Sequence, residues 1–373
     1  MRVAVVNQHL DDVVGGSELQ CDLVARGLAA RGHEVTYVAV GSTRPDPGGR
    51  PYRTVPSAAI PANVARAIID SGPDLVYWRY NRRGLREVAT ELARVDVPLV
   101  VALAHVDDVT PWPSWPLPGA GSTARDRASD LRSRLRWRRQ FAAFREVSAI
   151  ASQREDLIGR VPLGIVPLQR HVPNLMDPAL EGAPPFLHPR PFVAWVANLK
   201  ARKRPELLPA LADALASHGV DLILAGPVQD PRYGWLAGPL PEHPNLHHVG
   251  VLTTPEVVAL LAAARCLAVT AMPEGFSNVM LQAWWAGTPT VSLDYDPDGL
   301  VAREGLGVVA GGDPGRFRDE VLALATDQAR SGALGAHCAS FARGRFAPEG
   351  VLDALEELLE SALGTRRSGA ERQ

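Results

Sequence analysis

Short uninterrupted apolar runs alternate with longer amphipathic stretches along almost the whole chain. Runs such as Val3 to Val6 have no polar face, so they fit strands covered on both sides; the amphipathic stretches fit the helices that cover them. The pattern predicts an α/β fold of βα units on mostly parallel sheets. In the first unit a strand at Val3 to Val6 leads into a turn at Val14 to Ser17. A helix follows from Leu19 to Ala30, stopped by Arg31-Gly32, and then a strand from Val35 to Val40. Further strands are expected at Asp74 to Trp78, Pro98 to Leu103 and Val147 to Ala151. A proline- and tryptophan-rich loop, Thr110 to Pro118, and an arginine-rich helix lie between the last two.

After Val172 to Pro178 the composition turns to Pro, Gly and His as far as Pro191, which reads as a linker. The alternation then restarts. Strands are expected at Phe192 to Val196, Val220 to Leu224, Cys266 to Thr270 and Thr290 to Leu293. The intervening helices are Pro205 to Ser217, Pro255 to Ala264 and Ser277 to Ala286, and two more close the chain at Pro314 to Thr326 and Pro348 to Leu363. Two similar α/β halves place a ligand in the cleft between them, where strand C-termini and helix N-termini converge. The expected limits are 1–180 for the first domain, 187–345 for the second, 346–364 for a last helix and 365–373 for a disordered tail.

Composition narrows the function. Of 39 basic residues in 373, only Lys200 and Lys203 are lysine, and neither stands in the Gly-Lys-Ser/Thr of a phosphate-binding P-loop. A net charge of −2 gives no footprint for general nucleic-acid binding. Cys21, Cys266 and Cys338 are too far apart for a zinc or disulfide framework. The start of the chain lacks the apolar core and cleavage site of a signal peptide, and Arg265 interrupts the longest apolar stretch. A cytoplasmic protein is expected, soluble or peripheral at the inner membrane face.

The most informative segment is Pro273-Glu274-Gly275-Phe276-Ser277-Asn278-Val279, continuing to Gln282 and Gly287. A strand ends in a carboxylate and a glycine, and a helix then opens, so first-turn N–H groups from Phe276 to Val279 can face an anion. Gln282 lies about two turns further along. Here the chain resembles the family-4 retaining glycosyltransferases of the GT-B fold (glycosyl transferases group 1), whose hallmark is Glu-x7-Glu with this Glu-Gly-Phe opening. The resemblance extends to Gly15-Gly16-Ser17-Glu18, Arg31-Gly32-His33-Glu34-Val35, Val172-Pro173-Asn174, and Val196 to Lys203, the counterpart of the family's Gly-Arg-Leu-x3-Lys.

The resemblance implies two Rossmann-like domains facing across a cleft, with the acceptor on the N-terminal side, the donor on the C-terminal side, and a last helix crossing back to the first domain. It implies hexosyl transfer (EC 2.4) from a nucleotide diphosphate-sugar to a glycan, lipid-linked or small-molecule acceptor, with retention and with no metal or other cofactor. Lys203 matches the lysine that neutralises the diphosphate, with Arg202 beside it; Asn198 stands where many members have Arg. Glu274 matches the carboxylate that grips the transferred sugar. Gln282 replaces the second Glu, which binds ribose. His105 matches the histidine beside the donor sugar, and Gly15 and Gly16 would let backbone approach phosphates or acceptor. Asn198 and Gln282 motivate an alternative, a weak or inactive nucleotide-sugar-binding protein; another GT-B activity such as epimerisation is a further one.

Other patterns fail. Asp294-x-Asp296-x-Asp298 opens like a calcium loop, but Pro297 interrupts it and the twelfth position is Gly305. Ser277 lacks the closing glycine of a nucleophile elbow and reads as a helix N-cap. His33 reads as structural. Arg125 to Arg145 holds eight arginines, with Leu131, Leu135, Phe141 and Phe144 as an apolar face. It is a solvated surface helix, or else a contact for anionic lipid or for a phosphorylated acceptor. Trp112 and Trp115 serve either sugar stacking or packing.

Overall fold

The computed structural model describes every residue except Val14, Pro47, residues 113–122, Glu181, Ala183, Pro273, Glu274 and residues 371–373, and describes the backbone alone at 365–370. The chain divides into two compact units, Met1–Leu175 with Pro348–Gln373, and Met176–Ala347.

In the first unit seven strands form one parallel sheet. They are β1 (Arg2–Asn7), β2 (Glu34–Val40), β3 (Arg53–Ser57), β4 (Leu75–Trp78), β5 (Leu99–Leu103), β6 (Ala149–Ser152) and β7 (Gln169–His171), in the order β3-β2-β1-β4-β5-β6-β7. The helices between them are α1 (Gly16–Ala30), α2 (Pro61–Asp70), α3 (Leu85–Arg94) and α4 (Ala124–Phe141). The second unit repeats the plan. Its strands are β8 (Phe192–Val196), β9 (Asp221–Ala225), β10 (Leu246–His248), β11 (Leu267–Val269), β12 (Thr290–Ser292) and β13 (Gly307–Val309), in the order β10-β9-β8-β11-β12-β13. Its helices are α5 (Leu208–Ala216), α6 (Thr254–Ala263), α7 (Asn278–Trp285), α8 (Leu300–Arg303), α9 (Pro314–Thr326) and α10 (Gln328–Phe346). The last helix, α11 (Pro348–Ala370), belongs to the first unit and runs past residue 364, where a disordered tail was expected.

Strand periodicity explains the continuous apolar runs. In β1, Val3 and Val5 pack with Leu28 of α1 and Leu355 and Leu358 of α11, while Ala4 and Val6 pack on the other face with Ile68 of α2 and Leu92 of α3. In β8, Phe192 and Ala194 face Leu281 and Trp284 of α7, whereas Val193 and Trp195 face Leu211 of α5 and Val321 of α9. A strand with helices on both faces can carry no polar side. Arg31 and His33 hold α11: Arg31 pairs with Asp353 and Glu356, and His33 Nε2 lies 2.6 Å from Glu356. His33 is therefore structural. Close approach of α7 and α10 depends on two glycines, since a Cβ on Gly335 would sit 2.1 Å from the Gly287 carbonyl oxygen.

Candidate functional site

Each sheet reverses its strand order once, between β1 and β4 and between β8 and β11. Helices leave opposite faces at such a point, which opens a crevice at the strand C-termini. Of the residues expected from sequence in the second unit, Lys203, Ser277 and Val279 come together at the β8/β11 reversal.

After β8 the chain runs through Asn198 and Leu199, which is pinned by Leu199 N–H to the Pro227 carbonyl (2.9 Å) and by Gln229 N–H to the Leu199 carbonyl (3.1 Å). A 3-10 turn at Ala201–Lys203 follows. Four bonds stitch this turn to the end of β11. Thr270 Oγ1 donates to the Lys203 carbonyl at 2.5 Å; Arg204 donates to the Thr270 carbonyl (2.5 Å) and the Ala271 carbonyl (3.1 Å); Met272 N–H donates to the Arg202 carbonyl at 2.9 Å. The buried Trp195 indole donates to Thr270 Oγ1 at 3.0 Å, so the hydroxyl both accepts and donates. Arg204 holds a left-handed φ of 49°, a conformation costing a non-glycine residue about 1–3 kcal/mol. Its two carbonyl bonds offset that strain, so Arg204 is committed to the backbone rather than to a ligand. Arg202 is exposed, whereas Lys203, Lys200 and Asn198 are half-buried.

Lys203, Thr270, Ser277 and Val279 line one small pocket floored by Trp195 and Ala268. Lys203 and the start of α7 thus border the same pocket. Ser277 occupies the N-cap position without a side-chain capping bond, and helix geometry leaves the first-turn N–H groups without intrahelical partners. Gly275 is anchored by the Tyr295 hydroxyl, which donates to its carbonyl, and Phe276 is buried against Phe346. Gln282 is buried at 7% exposure, which excludes a merely solvated helix position. Asn278 is half-buried at the helix start. Glu274 and Trp115 lie outside the described residues.

In the first unit Gly15 ends the loop after β1 in extended backbone (φ −153°), and Gly16 opens α1 rather than forming part of a turn. A Cβ on Gly15 would lie 2.3 Å from the Glu18 carboxylate, so glycine here makes room for Glu18. Glu18 is 8% exposed, and burial raises its carboxyl above the usual range against the pull of its own N–H and of Arg79. Arg79 follows β4 and donates to Asn174 at 2.8 Å, and Asn7 at the end of β1 donates to Ser17 Oγ at 2.9 Å. This polar group at the β1/β4 reversal was not assigned a role from sequence. The available signal was a carboxylate in the first turn of the helix after β1.

His105 caps a 3-10 turn, Val106–Val109. Its Nδ1 accepts from Asp107 N–H at 3.0 Å, while Asp108 accepts from the His105 N–H at 2.8 Å. With Nδ1 accepting, neutral His105 carries its proton on Nε2. The ring is half-buried, not a core histidine. Arg82, 4% exposed, donates to the carbonyls of Asp107, Thr110 and Trp137 and lies 4.2 Å over the Trp137 ring. Burial pushes its guanidinium down to about 10. It ties the His105 turn to α4.

In α4, Asp130, Arg134, Trp137 and Phe141 turn inward, while Leu131 and Leu135 are 56% and 50% exposed. The expected single apolar face is thereby corrected: Leu131 and Leu135 are one turn apart on the outer surface, whereas Phe144 is buried beneath. Trp112 is exposed beside Arg138, whose guanidinium lies 5.2 Å from its ring. Asp296 is committed to capping, accepting from Val301 N–H at 2.8 Å.

Residues 190–327 match the family model described as glycosyl transferases group 1. No curated protein matches the chain by sequence. Among solved structures the chain is similar to HepE from Anabaena in complex with UDP and glucose, at 18% identity over 97% of this chain and 100% of that one, TM-score 0.69. It is also similar to sucrose-phosphate synthase from Thermosynechococcus elongatus, at 17% identity over 98% and 100%, TM-score 0.74. A third is WaaG, a glycosyltransferase involved in lipopolysaccharide biosynthesis, at 17% identity over 95% and 99%, TM-score 0.67. With two Rossmann-like parallel sheets in one chain, these likenesses show the GT-B fold.

Proposed function

We propose that this chain is a retaining glycosyltransferase that moves a hexose from a nucleotide diphosphate donor to an acceptor hydroxyl. The observation that carries the reading is the shared pocket of Lys203 and the first turn of α7 at the strand reversal, in the segment that matches group 1 glycosyltransferases. That HepE, a structural neighbour, has been solved with UDP and glucose and with UDP-glucose supports a nucleotide-sugar donor.

The departing diphosphate develops charge as the glycosidic bond breaks. In this reading Lys203 Nζ and the α7 N–H groups stand preorganised where that charge appears, and such a donor contributes roughly 2.7–4 kcal/mol to the transition state in comparable sites. Arg202 and Asn198 add contacts from the same turn. Glu274 holds hydroxyls of the transferred sugar, His105 donates from Nε2 to that sugar, and Gln282 meets the ribose. Gly275, Phe276, Asn278 and Val279 bring backbone to the phosphates. The departing phosphate accepts the acceptor proton, so the scheme uses neither a side-chain base nor a metal.

The test is incubation of purified protein with UDP-, GDP-, ADP- and dTDP-sugars and candidate acceptors. The expected result is nucleoside diphosphate release with a product of retained anomeric configuration. An inverted product overturns retention, an epimerised donor identifies another GT-B chemistry, and binding without turnover identifies an inactive sensor.

A second reading rests on α4. Seven arginines and two aspartates share its sequence with outward Leu131 and Leu135, a composition suited to lying on an anionic membrane surface. No helix among the described residues is long and apolar enough to cross a membrane. The contact proposed is peripheral, at a cytoplasmic face. Binding to anionic but not neutral liposomes, lost in Leu131→Ser/Leu135→Ser, is expected; equal binding by that variant refutes it.

A further inference from the structure

His188, Asp221 and His247 each offer a donor atom such that all three lie within 4.8 Å of one another, the only such group of three or more among the described residues. We propose that they form a binding site for a divalent transition metal of zinc type, unconnected with sugar transfer. All three belong to the second unit and sit at the strand N-termini. Asp221 is the first residue of β9, His247 is the second of β10, and His188 precedes β8. Lys203 and α7 lie past the opposite ends of these strands, a strand's length away at about 3.3 Å per residue.

The Asp221 carboxylate approaches both imidazoles. Asp221 is 1% exposed, and its Oδ2 faces His188 Nε2 at 2.6 Å and His247 Nε2 at 3.5 Å. His247 Nε2 is shielded from solvent and makes no hydrogen bond, so it meets the carboxylate only at ion-pair range. Zinc binds imidazole nitrogen at about 2.0–2.1 Å and carboxylate oxygen at about 2.0–2.2 Å, which in a tetrahedron sets donors about 3.4 Å apart. The His247 to Asp221 separation already fits. The His188 to Asp221 hydrogen bond would open by under about an ångström. Two imidazoles with one carboxylate favour zinc, nickel or copper over magnesium or calcium, and a water completes the shell.

One group opposes the metal. Arg190 places Nε 3.1 Å from Asp221 Oδ2 and pairs with Oδ1 from the solvent side. It competes for the carboxylate, so its removal should strengthen metal binding. Metal binding needs deprotonated ligand atoms and so weakens as pH falls. An ion here would fasten the segment before β8 to the sheet edge.

The experiment uses the full chain without a histidine tag, stripped with chelator and then dialysed against zinc. Wild type should retain one zinc per chain, raise its unfolding temperature with zinc, and give with cobalt the visible absorption of a four-coordinate site. Loss of an outer-shell partner alone costs metal sites about 10–100-fold, so His188→Gln/His247→Gln should weaken binding at least about tenfold. Arg190→Ala, which keeps all three ligands, should bind tighter than wild type. Substoichiometric zinc in wild type, equal affinity in the double variant, or unchanged or weaker affinity in Arg190→Ala each overturns the site.

Discussion

Replacing Thr270 by Val removes one oxygen and keeps the shape. That oxygen accepts the Trp195 indole N–H at 3.0 Å and donates to the Lys203 carbonyl at 2.5 Å, and both Thr270 and Trp195 are buried. Valine leaves the indole N–H unsatisfied, at about 1–3 kcal/mol, and frees the Lys203 carbonyl at about 0.5–1.5 kcal/mol. Burial of one more methyl returns about 0.8 kcal/mol. The net expectation is roughly 2 kcal/mol of destabilisation, read by urea unfolding. The catalytic effect should be larger than the stability effect suggests, because Lys203 loses an anchor, and a misplacement of about 1 Å can cost about 100-fold in rate. In a double-mutant cycle, Thr270→Val and Trp195→Phe should couple by about 1 kcal/mol or more, since they share one bond. A change below about 0.5 kcal/mol in Thr270→Val, or additive effects in the cycle, would refute the view that this hydroxyl locks the lysine turn.

Lys203→Ala and Glu274→Ala should each abolish most transfer while leaving the unfolding midpoint near wild type; near-normal turnover in either sinks its assignment. Lys203→Arg should also lose activity, because a rigid planar fork does not follow a moving diphosphate as a compact ammonium does. Gly226→Ala should destabilise severely or prevent folding, since its φ is +137° and a Cβ there would lie 2.1 Å from the Ala197 carbonyl oxygen; a soluble, equally stable variant contradicts that packing. Burial alone would raise the Glu356 carboxyl, but hydrogen bonds from His33 and Arg31 outweigh it and hold the group below the usual range. The stabilisation this supplies is present above the ordinary carboxylate pKa and is lost as pH falls through the lowered one. Wild type should therefore lose an acid-range stability increment that Glu356→Gln lacks, and superimposable pH profiles of unfolding would count against the tie.

The alternation of apolar runs and amphipathic stretches determined the central strands of both sheets, because a strand covered on both faces must be apolar at every position. The strands it left undetected, β3, β7, β10 and β13, are the four sheet edges. An edge strand has one neighbour and is partly exposed, as the half-buried Gln169–His171 shows, so no continuous apolar run marks it. Helix α10 went undetected because its Gly- and Ala-rich sequence is chosen for close approach to α7 and carries no clear amphipathic period. At the site, the family resemblance joined Lys203 and the opening of α7 at one diphosphate, and the structure supplied the neighbouring strand ends, β8 and β11, that bring them together. Only the tertiary structure decided that Thr270, Trp195 and Arg204 lock that lysine turn, that Glu18 stands against Gly15, and that Leu131 and Leu135 face outward. The Glu18 and α4 orientations depend on how each helix is seated against the rest of its unit; the lysine lock depends on contacts between residues far apart in the chain, and local pattern contains no term for which distant side chain meets which. The same holds for His188, Asp221 and His247, which no spacing rule joins and which converge because β8, β9 and β10 are neighbours in one sheet.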